Sequence, residues 1–357
     1  MPPGWEPHRF LAVILGALLS TLGAMAALNV LVDPYAECGT QIFLPDDSDQ
    51  HSRVMKVALL RRRDAPPQAL ILGNSRSLAL SPTTVRALTG LRTFNAAAAN
   101  ANVWDVLAFT RYVLGQPKRD LRLVILGFDT FMLIGSWAPP DEQLLYFPLV
   151  RYLPEVRPPL FRAQLSRAGR LTSANTAVIS ARQVYDRLSG REAERTFVFD
   201  ADGMMGYVPY DDWVKDGHWP GPLPDAFENV RNQYHVSFGS APYLGGRLPA
   251  AWEGWLREAQ AAGVQVVVFV PPLNTKLART LASETHYLEH LDLLRYYLRS
   301  LATRYHIAVH DLSTVDRFGG DDRWFIDGTH MIGPNNDLVL KAILKDVPRA
   351  EPRVAVR

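Results

Sequence analysis

Cysteine is almost missing from this chain of 357 residues, where Cys38 stands alone. An intramolecular disulfide is therefore excluded, and thiol chemistry has little to build on. Cys38 is not expected to carry a lipid either. Ala36 and Glu37 precede it, and a bulky acid does not fit the small-residue sites cleaved in exported proteins. A surplus of one charge sign is also missing: 38 basic side chains face 36 acidic ones, for a formal net charge of +2. These charges are spread along the chain, so neither nucleic acid nor another polyanion is expected as a partner. There is no internal repeat, no low-complexity tract and no glycine-rich phosphate loop. What is abundant is apolar residues, at 48%, enough for one large core or a core with a substantial insertion.

The strongest signal comes first. From Phe10 to Val32 the chain reads FLAVILGALLSTLGAMAALNVLV, without a charge and with only Ser20, Thr21 and Asn29 as polar side chains. About 20 such residues span a hydrocarbon core, so residues 10–32 are expected to be a transmembrane anchor. His8 and Arg9 lie before it, whereas Asp33, Glu37, Asp46, Asp47 and Asp49 follow. The positive-inside bias then puts residues 1–9 in the cytoplasm and the bulk of the chain outside, periplasmic or extracellular. Ala24-Met25-Ala26 also fits a signal-peptidase site. Cleavage after Ala26 is an alternative that would export the domain all the same.

Residues 33–66 are polar and rich in proline, and read as a stem with one short helix near 50–62. Then apolar runs bounded by turn residues recur at 69–73, 91–95, 121–128, 264–270 and 307–312. Helical patterns fall at 82–89, 103–114, 247–262, 277–305 and 335–346. Strands that are apolar on both sides and alternate with helices imply an α/β domain over 67–346, with a parallel sheet covered on both faces in three flavodoxin-like layers. Residues 130–245 break the rhythm with Pro, Trp, Tyr and Gly, and read as an insertion over one end of the sheet, with a helix at 173–188. Residues 347–357 form a tail.

In such a sheet ligands bind beyond the carboxyl ends of the strands. The first strand ends in Gly73-Asn74-Ser75-Arg76-Ser77, a turn that would raise the Ser75 hydroxyl above the sheet. The second runs into Asn95 and AAAANAN, the third into Gly127-Phe128-Asp129, and Asp327-Gly328-Thr329-His330 stands near the end. A serine is a weak nucleophile until a base takes its proton, and a histidine serves as that base when a third group fixes its tautomer. Asp327 and His330 offer both functions from one turn.

GNSRS at 73–77, FNAAAANA at 94–101, GFD at 127–129 and DGTH at 327–330, with Val32-Asp33-Pro34-Tyr35 after the anchor, resemble the four blocks of the SGNH hydrolase-like superfamily. The likeness is to its membrane-anchored envelope branch, which includes alginate O-acetylation proteins and the lipoteichoic acid D-alanylation protein. It covers roughly residues 70–345. The resemblance implies Ser75 as nucleophile, His330 as base and Asp327 as its orienting partner, without a cofactor or metal. It further implies an oxyanion site near the Ser75 N–H, Asn100 and Asp129, with Arg76 beside it. An envelope glycan would be the substrate, and a multi-pass membrane O-acyltransferase the donor-side partner. Two positions depart from the family pattern. Asn100 replaces a glycine, which asparagine tolerates in a left-handed backbone. Asp129 replaces an asparagine, and an ionised carboxylate accepts hydrogen bonds but donates none. Asp129 would have to be protonated, or turned away onto Ser75 or Arg76.

Other readings compete. Ser75 can simply cap its turn, and Asp327 with His330 can be a structural pair. A silent envelope scaffold or glycan-binding protein on the same fold fits the Asp129 departure. His286, Glu289 and His290 match an inverted zinc-protease spacing that lacks a visible third ligand. His306 and His310 fall on one face of a strand. Trp137, Trp213 and Trp219 either stack on sugars or anchor a core.

Overall fold

A computed structural model describes residues 6–40, 42–43, 52–134, 146–155, 160–190, 197–207, 210–244 and 246–350. Trp137 and the acids Asp46, Asp47 and Asp49 lie outside the described residues, as does most of the tail.

Helix α1 (Pro7–Val32) contains the apolar run and is long and apolar enough to cross a membrane. It stops at Asp33 in a left-handed conformation (φ 53°), and the Asp33 carboxylate then accepts the N–H groups of Glu37, Cys38 and Gly39. The chain thus leaves α1 through a turn fixed by one side chain. Helix α2 (Ser52–Arg61) follows. It belongs to no free stem, because Met55, Lys56, Val57 and Ala58 are buried against the domain.

Five strands form one parallel sheet: β1 (Ala69–Leu72), β2 (Thr93–Asn95), β3 (Leu123–Gly127), β6 (Gln265–Val270) and β7 (Ala308–Asp311), in the order β2-β1-β3-β6-β7. The short antiparallel hairpin β4 (Phe197–Phe199) and β5 (Met205–Tyr207) lies in the insertion. Alternation along each strand feeds two cores. Leu70, Leu72, Val124 and Val268 point to a face covered by α4 (Val103–Leu114) and by the helices Leu248–Ala261 and Tyr287–Tyr305. Ile71, Ile125, Val267 and Phe269 point to the face covered by α3 (Pro82–Thr89) and the final helix Pro334–Leu344. The domain is therefore α/β with helices on both faces of a parallel sheet, and the direction in which strands are added switches between β1 and β3.

The insertion holds more structure than its composition suggests. It contains α5 (Leu160–Leu171), α6 (Ala174–Ser189), the β4–β5 hairpin, a short helix Tyr210–Lys215 and α7 (Pro224–Ser237). The hairpin docks on the end of β2 and on the serine turn: Asn95 N–H donates to Asp202 O at 2.8 Å and Met205 N–H to Leu78 O at 2.9 Å. Beyond the insertion run α8 (Leu248–Ala261), α9 (Thr275–Glu284), α10 (Tyr287–Tyr305) and α11 (Pro334–Leu344). The single helix expected at 277–305 is two, because Thr285 is extended (φ −145°, ψ 179°). Its hydroxyl donates to Leu281 O at 2.7 Å and accepts the Tyr287 N–H at 3.2 Å, closing one helix and opening the next.

Candidate functional site

The strand order switches between β1 and β3, and the carboxyl ends of two such strands are where an open α/β sheet binds its ligands. After β1 the chain turns at Gly73 (φ 140°), where an added Cβ would stand 2.5 Å from Ser77 Oγ and 3.0 Å from Gly127 O. Only glycine allows the two strand ends to approach so closely. The Asn74 side chain accepts the Arg76 N–H at 3.2 Å and caps a 3₁₀ turn, Ser75–Ser77. Ser75 is thereby held at the rim of the sheet, half-buried.

His330 Nε2 is 2.9 Å from Ser75 Oγ, and His330 Nδ1 is 2.6 Å from Asp327 Oδ2. The Asp327 carboxylate also accepts the N–H groups of Thr329 and His330, each at 2.9 Å, and the Thr329 hydroxyl at 3.0 Å. One buried carboxylate therefore builds the turn and orients the ring. With Nδ1–H donating to Asp327, Nε2 is left as an acceptor aimed at the serine hydroxyl. Burial alone would lift the Asp327 carboxyl. The His330 charge and hydrogen bond, with the backbone N–H groups of His330 and Thr329, outweigh it and hold the carboxyl at about 2. The turn is closed by a bridge between Phe325 and Met331 and by Asn274 N–H donating to Gly328 O at 2.9 Å.

The second block runs beside the first in parallel register. Ala96 N–H donates to Ile71 O at 2.8 Å and Ala98 N–H to Gly73 O at 3.1 Å, after which the loop turns with Ala101 N–H donating to Ala98 O at 3.1 Å. Asn100 is exposed, with a left-handed backbone (φ 51°). Among the described residues, neither the Ser75 N–H nor the Asn100 N–H donates an internal hydrogen bond.

Asp129 and Arg76 are placed differently from substrate-facing groups. Asp129 is buried and accepts from Asn74 Nδ2 at 2.5 Å and from Phe131 N–H at 3.0 Å, with Arg76 Nη1 at 3.6 Å. Arg76 is buried as well, and its Nη2 donates to the carbonyls of Pro271 and Pro272 at the end of β6. The pair ties together the carboxyl ends of β1, β3 and β6 beneath the serine.

Helix α2 supplies a set of contacts that the sequence did not single out. Ser52 Oγ accepts the Ala99 N–H at 3.0 Å. Arg53 donates to Asn100 O at 3.4 Å and pairs with Asp105, the capping-box acid of α4, at 2.6 Å. Lys56, wholly buried, donates to Asn95 O at 2.8 Å and to Gly203 O, and its amine lies 4.9 Å from the centre of the Phe199 ring. Burial holds the Lys56 amine well below its usual range, against the opposing pull of Asp200. Asn95 completes the frame, with Nδ2 within bonding distance of the carbonyls of Ser77, Leu78 and Leu80 and Oδ1 accepting the Ala97 N–H. The loop 95–100 is thus clamped between α2 and the serine turn. The only sequence signal was that Asn95 opens the second block.

The remaining candidates disperse. His286 precedes α10 and pairs with Glu289 at 2.7 Å, while His290 is buried with Nε2 2.9 Å from Ser240 O. No group of metal-binding side chains forms among the described residues. His306 ends α10 in a left-handed conformation (φ 49°) and lies outside β7, so it shares no strand face with His310. Trp213 and Trp219 pack with Tyr210, and Trp219 Nε1 donates to Arg323 O at 2.6 Å, which makes them braces of the 321–330 region. Comparison of the chain with protein-family models and with curated proteins finds no match.

Proposed function

We propose that this chain is a membrane-anchored, SGNH-like serine acyltransferase or acylesterase that acts on O-acyl groups of an envelope glycan. The observation that carries this reading is the chain of contacts Ser75–His330–Asp327, with distances of 2.9 and 2.6 Å, at the switch point of the sheet. Ser75 Oγ attacks the acyl carbonyl carbon while its proton passes to His330 Nε2. The tetrahedral intermediate collapses, the ester C–O bond breaks, and His330 returns the proton to the departing alcohol. A sugar hydroxyl or water then repeats the sequence in reverse and frees Ser75. Asp327 holds the ring and stabilises its cation. The Ser75 and Asn100 N–H groups receive the oxyanion, each such donor being worth about 10²–10³ in rate.

The glycan and a multi-pass O-acyltransferase partner come from the family likeness of the four sequence blocks. The placement of the domain on the outer side comes from the charges flanking α1. A second reading, a glycan-binding protein without turnover, is favoured by Asp129. It stands where the family has an amide donor, and its carboxylate is committed to Asn74 and Arg76. Replacing Ser75→Ala in the native cell separates the two: loss of glycan acylation or of deacylation supports the enzyme. Unchanged acylation, with glycan binding intact, supports the binding protein.

A further inference from the structure

Beside the C-terminal end of α1 stands a helical hairpin, α5–α6, that is built inside out. Helix α6 buries Thr176 and Ser180 and exposes Val178 and Leu188, which are 68% and 82% accessible. Helix α5 exposes Phe161 and Leu165, one turn apart, at 66% and 54%. A helix facing water does the reverse. Hydroxyls turned toward a neighbouring helix and apolar side chains turned outward are the arrangement of helices in lipid.

The hairpin's depth is fixed by Asn29, a buried polar residue within the apolar run of α1. Asn29 Nδ2 donates to Leu171 O at 2.8 Å and Ser173 O at 3.3 Å, and its Oδ1 accepts the Ser180 hydroxyl at 3.0 Å. At 1.5 Å per residue, Phe10 to Asn29 covers about 30 Å, the thickness of a hydrocarbon core. The turn between α5 and α6 therefore sits at the boundary of that core. Helix α5 is further tied to the chain just past α1, with Arg170 bound to Glu37 and Arg167 3.8 Å from Cys38 Sγ. Residues 160–189 contain five arginines and one aspartate.

We propose that the α5–α6 hairpin is a foot embedded in the lipid surface of the leaflet at the C-terminal end of α1. Phe161, Leu165, Val178 and Leu188 enter the acyl boundary to a depth of about 5–10 Å, and the arginines sit at the level of the lipid phosphates. The foot fixes the tilt and height of the domain above the bilayer. This inference rests on α1 crossing the membrane and is independent of the chemistry at Ser75.

The test uses the full chain with Cys38→Ser, leaving no other thiol, and single changes Phe161→Cys, Val178→Cys, Leu188→Cys, Leu18→Cys and Ser283→Cys, each carrying an environment-sensitive fluorophore. The proteins are placed in vesicles of phosphatidylcholine and phosphatidylglycerol and exposed to nitroxide lipid or aqueous iodide. Leu18 reports insertion of α1, and Ser283 reports water. The foot predicts that labels at 161, 178 and 188 are quenched by nitroxide lipid and shielded from iodide several-fold relative to 283. With the label at 18 quenched by lipid, iodide access at 161, 178 and 188 equal to that at 283 would overturn the proposal. The vesicles contain no other protein, so shielding there is shielding by lipid.

Discussion

Asp129 accepts a 2.5 Å hydrogen bond from Asn74, the residue immediately before Ser75. The bond fixes the amide whose Oδ1 takes the Arg76 N–H and shapes the serine turn. At this position the carboxylate is a brace, shared with the Arg76 guanidinium and through it with the end of β6.

A first prediction follows for Asp129→Asn. The new amide offers one acceptor where the carboxylate has two, so it would set donor against donor at either Asn74 Nδ2 or the Phe131 N–H and leave the buried Arg76 without its counter-charge. Breaking a buried pair from one side costs about 3–5 kcal/mol, and the two proline carbonyls on Arg76 hold this case near the lower end. Urea denaturation should show that loss, with slower reaction at Ser75. A variant that reacts faster with unchanged stability would show the carboxylate to be a handicap and not a brace.

The depressed Asp327 carboxyl makes stability depend on acid. Its folded value of about 2 lies below the ordinary 3.8, so its contribution is complete above pH 3.8 and is lost as the pH falls through about 2. The shift corresponds to about 2 kcal/mol. Unfolding followed across that window should give a stability slope that Asp327→Asn removes. An equal slope in the variant would place the acid sensitivity elsewhere.

Arg53→Ala tests the clamp from α2. It strips the Asn100 carbonyl of a donor and Asp105 of its ion-pair partner without touching the Ser75, His330 or Asp327 side chains. We expect kcat on a soluble ester to fall by about tenfold with KM unchanged, the mark of an interaction used in the transition state. Arg53→Lys, which keeps the charge but not the fork, should recover part of the loss. A rise in KM alone would assign Arg53 to substrate binding.

Asn95→Leu keeps the volume but removes the donor from a nest of three carbonyls. Buried groups left unpaired cost about 1–3 kcal/mol each. A fall of about 3 kcal/mol is therefore expected in urea denaturation of the full chain. Unchanged stability would mean that the serine turn holds itself.

The long apolar helix α1 and the parallel sheet were legible because they depend on continuous apolar runs. All five strands fall within the expected segments, and α3 and α4 match theirs residue for residue. Helix α2 was legible as a short helix near 50–62, but its packing was not. Its Ser52, Arg53 and Lys56 look like solvent-facing residues, and their partners in loop 95–100 come from the far side of β1. The break between α9 and α10 escaped notice because neither glycine nor proline marks it; the Thr285 hydroxyl does the work locally. In the insertion α6 was legible, expected at 173–188, whereas α5, α7 and the β4–β5 hairpin were not, because Pro, Trp, Tyr and Gly interrupt the apolar periodicity there. Arg76 next to the serine looked available to a substrate. Its burial is set by the prolines after β6, a contact across more than half of the chain.

The central claim is that Ser75 is activated by His330. The full chain in detergent, treated with a fluorophosphonate probe beside Ser75→Ala and His330→Ala, tests it most directly. The account predicts covalent labelling at Ser75 in the unmodified protein and none in either variant. A folded protein that takes no label, or a His330→Ala variant that labels as fast as its parent, would contradict it.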